Sequence, residues 1–322
     1  MRHFLHMHTL GRRPLIMDCD PGADDAVLIL MVLAAPQSFN LLGITTVSGN
    51  APLEWTNKNT LKILELAKHP KIKVFGGCRR PLIRKPIYAA YIHGETGLEG
   101  TSMTDPKIYL QTQHAVDFII ETLLQASQKV TLSVSGPMTN IALAMIKEPS
   151  ICNSIEEIIF MGGSTNGGNI TPAAEFNFYV DPHAAYVVLT SGVPLRMMGL
   201  NVTHQLVTSH ERLEKLRKLG NNVGNQVADM LSHNAENDII RFGLTGRAVH
   251  DACIAAYMLR PELFTFKKMH VFVEHANEAT IGGCIVNPYP THLQDQWIWV
   301  ADTIDACQVF DLIIELMGSY KD

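Results

Sequence analysis

The chain has 322 residues, 47% of them hydrophobic and 18% charged, which is enough apolar material for one large α/β domain or two smaller ones. Its formal net charge of −5 argues against a nucleic-acid partner, because proteins that grip phosphate backbones carry a basic face that displaces counterions. Six cysteines, Cys19, Cys78, Cys152, Cys253, Cys284 and Cys307, form no CxxC pair, so zinc-ribbon and thioredoxin-type sites are not indicated and reduced thiols of a cytoplasmic protein are.

Met1 to Arg13 contains Arg2, Arg12 and Arg13 with no acid. That composition has some likeness to an organelle-targeting segment, but it is short and lacks the apolar core of a secretory signal, so residues 1–13 read as a disordered extension of a single domain spanning 14–322. Pro14 to Met17 is the first predicted strand, Ala23 to Ala35 its helix and Phe39 to Val47 the next strand. Leu53 to Lys68 continues as a helix and Lys73 to Phe75 as a short strand. The unit then repeats. His114 to Ala126 is a helix before the strand Val130 to Val134, Ile141 to Lys147 a helix before Glu157 to Met161, and Ala184 to Ser191 a helix before Leu195 to Gly199. This alternation of short apolar runs with stretches of helical period predicts parallel strands joined by crossover helices. Beyond it, Glu211 to Leu219, a long stretch from Val223 to about Arg241, and Asp251 to Arg260 read as helical. Phe266 to Glu274 and Trp297 to Ala301 read as late strands of antiparallel kind, before a closing helix from Ile304 to Met317. The expected fold is an open, mostly parallel, Rossmann-like sheet with flanking helices and an appended helical and β region at the C-terminal end. No apolar run approaches the roughly 18 residues that span a bilayer, so no membrane partner is expected.

In an open parallel sheet, ligands gather at the carboxyl ends of the strands. The segment after the first strand is the most unusual of these: Asp18-Cys19-Asp20-Pro21-Gly22-Ala23-Asp24-Asp25 places four carboxylates in eight residues. Such a group repels itself strongly unless a cation neutralises it. Oxygen ligands without His or Cys favour Ca²⁺ or Mg²⁺ over Zn²⁺. Two other readings compete. Acids in a first helical turn also serve as caps that complement the macrodipole. Asp18-Cys19-Asp20 after a strand also resembles the opening of the haloacid-dehalogenase phosphotransferases, with Asp18 as nucleophile, although the Pro-Gly and two further acids depart from that pattern.

The same segment, continued to Ala26, resembles the signature of the inosine-uridine-preferring nucleoside hydrolases. Six further segments follow in the order that family shows: Ile44-Thr45-Thr46-Val47-Ser48-Gly49-Asn50, His93-Gly94-Glu95-Thr96-Gly97, Met161-Gly162-Gly163, Asn169 with Glu175-Phe176-Asn177, Asp181-Pro182, and Val249-His250-Asp251. The resemblance runs from about Pro14 to Gly318. It implies an enzyme that hydrolyses the N-glycosidic bond of ribonucleosides of the uridine, inosine or cytidine type, working as a homotetramer or homodimer.

Breaking that bond generates an oxocarbenium-like sugar, so water must be activated, hydroxyls held and the base helped to leave. The resemblance implies that Ca²⁺ is held by Asp20, Asp25, Asp251 and the main-chain carbonyl of Ser135, with Asp20 also the general base and Asp18 in support. Asp24, Asn50, Asn169, Glu175 and Asn177 would hold the sugar, with Met161 in the same substrate site and His93 facing the nucleobase. In the Gly-rich stretch around Gly162, Gly163, Gly167 and Gly168, Asn169 and Asn177 also suit plain turn chemistry. His250 would be the proton donor to the departing base. Where the pyrimidine-preferring relatives place a Tyr near that base, this chain has Phe242, which can stack but cannot donate a proton. Arg241 and Asp238 offer polar contacts if their helix faces the cleft. A non-catalytic scaffold retaining the cation is a third possibility, and no lost ligand points to it.

Overall fold

Successive side chains of the strand β1, Arg13–Cys19, enter two different cores. Leu15, Met17 and Cys19 join one cluster of buried side chains and Ile16 the other, which is the period-two pattern of a strand covered on both faces. In the computed structural model, which describes residues 11–287, 289 and 297–322, β1 is the pivot of a nine-stranded sheet. The other strands are β2 (Phe39–Thr46), β3 (Val74–Gly76), β4 (Val130–Val134), β5 (Ile155–Met161), β6 (Leu195–Met198), β7 (Phe264–Val273), β8 (Cys284–Asn287) and β9 (Ile298–Ile304). Their order is β3-β2-β1-β4-β5-β6-β9-β7-β8. All neighbours from β3 to β9 pair in parallel, while β7 runs antiparallel to both β9 and β8. The two late strands thus pair with each other as expected, and β9 also continues the parallel sheet beside β6.

The chain winds outward from β1 in both directions, first through β2 and β3, then through β4, β5 and β6. The carboxyl ends of β1 and β4 therefore flank the point where strand order reverses, the natural crevice of such a sheet. The helix after β1, Ala23–Leu33, has every residue buried. It is apolar on all sides except for its two acids, so it can only be an interior helix. It packs against Ala252–Leu259, likewise buried nearly throughout, and each fully buried Leu, Ile or Val contributes about 1.5–3 kcal/mol. The opposite face of the sheet is covered by Ala115–Gln125, Thr139–Lys147 and Pro182–Leu189.

β1 opens at Arg13, which pairs with Phe39, one residue earlier than expected. Residues 1–10 of the anticipated extension lie outside the described residues. The long helical stretch expected from Val223 to Arg241 is two helices, Asn222–Ser232 and Glu236–Phe242. Between them Asn234 adopts a left-handed φ of 53°, a conformation that Asn tolerates better than most residues. Tertiary bonds hold the break: Asn234 Nδ2 donates to the Ile92 carbonyl over 3.2 Å, and Arg247 Nη1 donates to the His233 carbonyl over 2.7 Å. The His233 carbonyl, which a continuous helix would have satisfied internally, is satisfied from outside. Ile304, expected to open the last helix, instead ends β9; Asp305 then caps Ala306–Gly318 by accepting from the Gln308 N–H over 3.0 Å. Among the described residues, no helix is long and apolar enough to cross a membrane.

Candidate active site

β1 delivers Asp20 to the crevice, the Pro21-Gly22 turn follows, and Asp24 and Asp25 occupy the first turn of Ala23–Leu33. Asp251 stands at the N-terminus of Ala252–Leu259. Two helix N-termini, each with a partial positive charge, thus face one group of acids. Asp24, Asp25 and Asp251 each offer an oxygen, and these lie within 4.8 Å of one another. Asp25 is held at both oxygens: Oδ1 accepts from Ser135 Oγ over 2.6 Å, and Oδ2 from the Gly22 N–H over 3.0 Å and Asn50 Nδ2 over 3.2 Å. Asp20 stands beside the trio rather than in it. Its Oδ2 accepts from the Asn50 N–H over 2.7 Å, while its buried Oδ1 has no partner. Gly49 and Gly136 make room for it, since a Cβ on either would lie 2.1 Å from Oδ2 or 2.6 Å from Oδ1.

The electrostatics of this group call for a cation. Burial pushes the Asp18 carboxyl up to about 7. Burial and the charge of Asp24 push Asp25 up to about 6. Burial and neighbouring acids hold Asp20 and Asp251 well above the usual carboxylate range. Asp24 goes the other way: its pKa is lowered although burial opposes its charge, and the Arg247 guanidinium is a fixed positive charge acting on it. Asp24 Oδ1 is buried without a partner, as is Asp20 Oδ1. Buried, mutually repelling, partly unpartnered carboxylate oxygens are a donor set suited to a hard divalent ion.

Above the acids lies a cleft of about 630 Å³, part of it open to solvent. The strand ends contribute Asp24, Asn50, Ser135 and Met161 to it, and the segment before Ala252–Leu259 contributes Arg247, Ala248, His250 and Asp251. Asn169, Glu175, Phe176 and Asn177 line another side, Ala89 to His93 a third, and Asp238, Arg241 and Phe242 come from the helix beyond the Asn234 break. Asp20 and Asp25 lie beneath the lining. Asn177 Nδ2 donates to the carbonyls of Ser135, over 2.8 Å, and Met161, over 3.0 Å, tying two strand ends together. Glu175 caps the short helix Phe176–Val180, accepting from the N–H groups of Asn177, Phe178 and Gly163 over 2.9, 3.1 and 2.9 Å. Burial pushes its carboxyl up to about 7 against the pull of those bonds. Asn169 Oδ1 accepts from the Phe176 N–H over 2.8 Å, so Asn169 and Asn177 do serve local structure while also facing the cleft. His250 Nδ1 lies 2.8 Å from Thr203 Oγ1.

Comparison with known proteins decides what this arrangement belongs to. The family model for inosine-uridine preferring nucleoside hydrolases matches residues 15–311. The chain belongs to that family. It is 39% identical to a pyrimidine-specific ribonucleoside hydrolase of Shewanella woodyi, over 96% of this chain and 99% of the relative. Among solved structures it resembles a purine-preferring ribonucleoside hydrolase from Gardnerella vaginalis (TM-score 0.88, 30% identity, 95% and 98% of the two chains). A plant nucleoside hydrolase is equally similar (TM-score 0.89, 29% identity, 95% and 99%). The protein is therefore an enzyme, a hydrolase of N-glycosyl compounds.

In this nucleoside hydrolase, Asp18 does not reach the cleft. It accepts from Thr45 Oγ1 over 2.6 Å and Asn140 Nδ2 over 2.7 Å on the far side of β1, which leaves the phosphotransferase reading without a nucleophile. Several residues at or beside the cleft went unmarked in the sequence, three of them polar or aromatic enough to matter. Arg247 is buried at the cleft, and its charge beside Ala248-Val249 and the His-Asp pair was a usable signal. Tyr91 carries the Arg241 guanidinium over its ring at 4.9 Å. His204 lies between Phe242 and His250, with ring centroids 5.2 and 5.5 Å away. Nothing in its own segment singles it out.

Proposed function

We propose that this nucleoside hydrolase cleaves ribonucleosides of the uridine, inosine and cytidine type to ribose and free base, with Ca²⁺ as its resident metal. The observation that carries this reading is the convergence of Asp24, Asp25 and Asp251 at the base of a cleft lined by Asn50, Asn169, Glu175, Asn177 and His250. Asp20, Asp25, Asp251 and the Ser135 carbonyl are assigned to the ion, and the unpartnered Oδ1 of buried Asp20 supports its inclusion. When bound, the ion supplies positive charge that offsets the carboxylates and makes nearby water more acidic. Asp20 then accepts a proton from the attacking water.

Asp24, Asn50, Asn169, Glu175 and Asn177 hold the sugar; because the Asn177 amide nitrogen is engaged by two carbonyls, its oxygen is the atom left for a hydroxyl. Met161 closes the substrate site at the end of β5. His250 gives a proton to the leaving base, His93 meets that base, and Phe242 stacks on it. Pyrimidine substrates are favoured because several relatives of about 40% identity are named as pyrimidine-specific. The test is release of base from uridine, cytidine, inosine and adenosine, with and without a calcium chelator. Release from the first three that disappears on chelation is expected. Undiminished release after chelation would remove the metal assignment, and no release from any nucleoside with Ca²⁺ present would remove the reaction. A homotetramer or homodimer in the cytoplasm is proposed with it, on the resemblance and on six free cysteines, and light scattering of the purified protein reads the assembly.

A further inference from the structure

The His93 imidazole sits between a cation and a glycine. Arg247, only 4% exposed, directs Nη2 at His93 Nδ1 over 3.2 Å, and directs Nη1 at the carbonyls of His233, over 2.7 Å, and Met230, over 3.4 Å. A guanidinium in a protein keeps its charge and has five donors and no acceptor, so the nitrogen it meets must be a lone pair. The single ring proton of a neutral imidazole is then on Nε2. The same ring edge is pressed against Gly22, where a Cβ would lie 2.4 Å from Nδ1 and 2.6 Å from Cε1, so the ring is fixed in place as well as in tautomer. Among the described residues no hydrogen bond engages Nε2, and His93 lines the cleft. Burial and the neighbouring guanidinium also lower the His93 pKa to about 3, which keeps the ring neutral.

Resting on the nucleoside-hydrolase reading, we propose that Arg247 is a positioning residue that locks His93 as a neutral Nε2–H donor, so that His93 recognises a hydrogen-bond acceptor on the substrate and does not act as an acid. Arg247 need not touch substrate for this. Its other bonds anchor it to the carbonyls where Asn222–Ser232 ends, so the tautomer of His93 is tied to the turn that carries Asn234. A single cation thereby links the turn that aims Glu236–Phe242 to the donor presented from the other side of the cleft.

Two measurements test this. In protein labelled with ¹⁵N-histidine, long-range proton–nitrogen correlations of wild-type enzyme at neutral pH should show His93 as the pure Nε2–H tautomer; Nδ1–H, or an imidazolium, overturns the proposal. This readout needs no turnover, so it stands apart from any failure of the hydrolase reading, which the nucleoside panel detects. The second is a double-mutant cycle on kcat/KM with His93→Ala, Arg247→Met and the pair. Each single change is expected to cost about 10- to 100-fold, the range for leaving a buried hydrogen-bonding partner unsatisfied, and the pair no more than the worse single change. Costs that multiply would show Arg247 acting independently of His93 and overturn the proposal. Should Arg247→Met not fold, the wild-type spectrum decides by itself.

Discussion

Ser135 holds Asp25 from the adjacent strand end: its hydroxyl donates to Oδ1 over 2.6 Å while its own carbonyl accepts from Asn177 Nδ2 over 2.8 Å. One residue at the end of β4 thus orients a carboxylate of the acidic trio and is itself oriented by Asn177 on the cleft wall. Groups that hold a ligating carboxylate in place commonly contribute 10- to 100-fold in metal affinity. Ser135→Ala, which keeps the carbonyl and removes the hydroxyl, should weaken Ca²⁺ binding by about that factor in calorimetry. Unchanged affinity would show that Asp25 needs no such restraint.

The acid cluster makes stability depend on pH in a definite direction. Asp18 and Glu175 are raised to about 7 and Asp25 to about 6, all above their values in an unfolded chain. Between about pH 4 and 7 the folded protein therefore binds more protons than the unfolded one, and stability from these groups is lost as pH rises. Metal-free protein should melt at lower temperature at about pH 7.5 than at about pH 5. Added Ca²⁺ should raise the melting temperature, and by more at the higher pH, where protons compete least for the oxygens. Thermal scans in chelator and in calcium across this range check both; a metal-free melting temperature that climbs with pH would contradict the assignment.

Glu175 caps a helix and is proposed to hold the sugar, and one pair of variants can separate the two. Removing the cap of Phe176–Val180 with Glu175→Ala should cost about 0.5–2 kcal/mol of stability, and Glu175→Gln, which keeps an acceptor oxygen, should cost less. If the residue also holds the sugar, both variants raise KM for uridine. A loss of melting temperature with KM untouched would leave it as a cap alone.

Phe242 should serve binding more than chemistry. Phe242→Ala removes a ring whose stacking is worth about 0.5–1.5 kcal/mol, so KM should rise by about 2- to 12-fold with kcat changed less. Steady-state kinetics on uridine and inosine read this directly. A fall in kcat at constant KM would place the ring in the protonation of the base instead.

Much of this architecture could be read from residue patterns because its causes are local. The apolar run of β1, the fully apolar stretch after Asp25 and the acids between them predicted a buried strand, a buried helix and a charged junction. Which acids share a point was less legible. Asp24 and Asp25 are neighbours on a helix, about 100° apart around its axis, and only the packing of Ala23–Leu33 against Ala252–Leu259 brings both to Asp251. The short helices Ala90–His93 and Phe176–Val180 lack a periodic pattern long enough to see; the second depends on bonds from Glu175 and Asn169. The break at Asn234 escaped because no Gly or Pro marks it and its partners, Ile92 and Arg247, are distant in sequence.

That break also shapes the wall of the cleft. An uninterrupted helix through these residues would keep the direction of Asn222–Ser232 and carry Phe242 about 1.5 Å farther along its axis with every residue. Turning at Asn234 instead gives the cleft a braced wall: Asp238, Arg241 and Phe242 arrive on one short segment, where Asp238 accepts from the Ala248 N–H over 2.9 Å and Arg241 donates to the Asn169 carbonyl over 2.8 Å. A change on that segment therefore reaches both Asn169 and the stretch before Asp251, so the wall of the cleft and the acids beneath it are built as one piece.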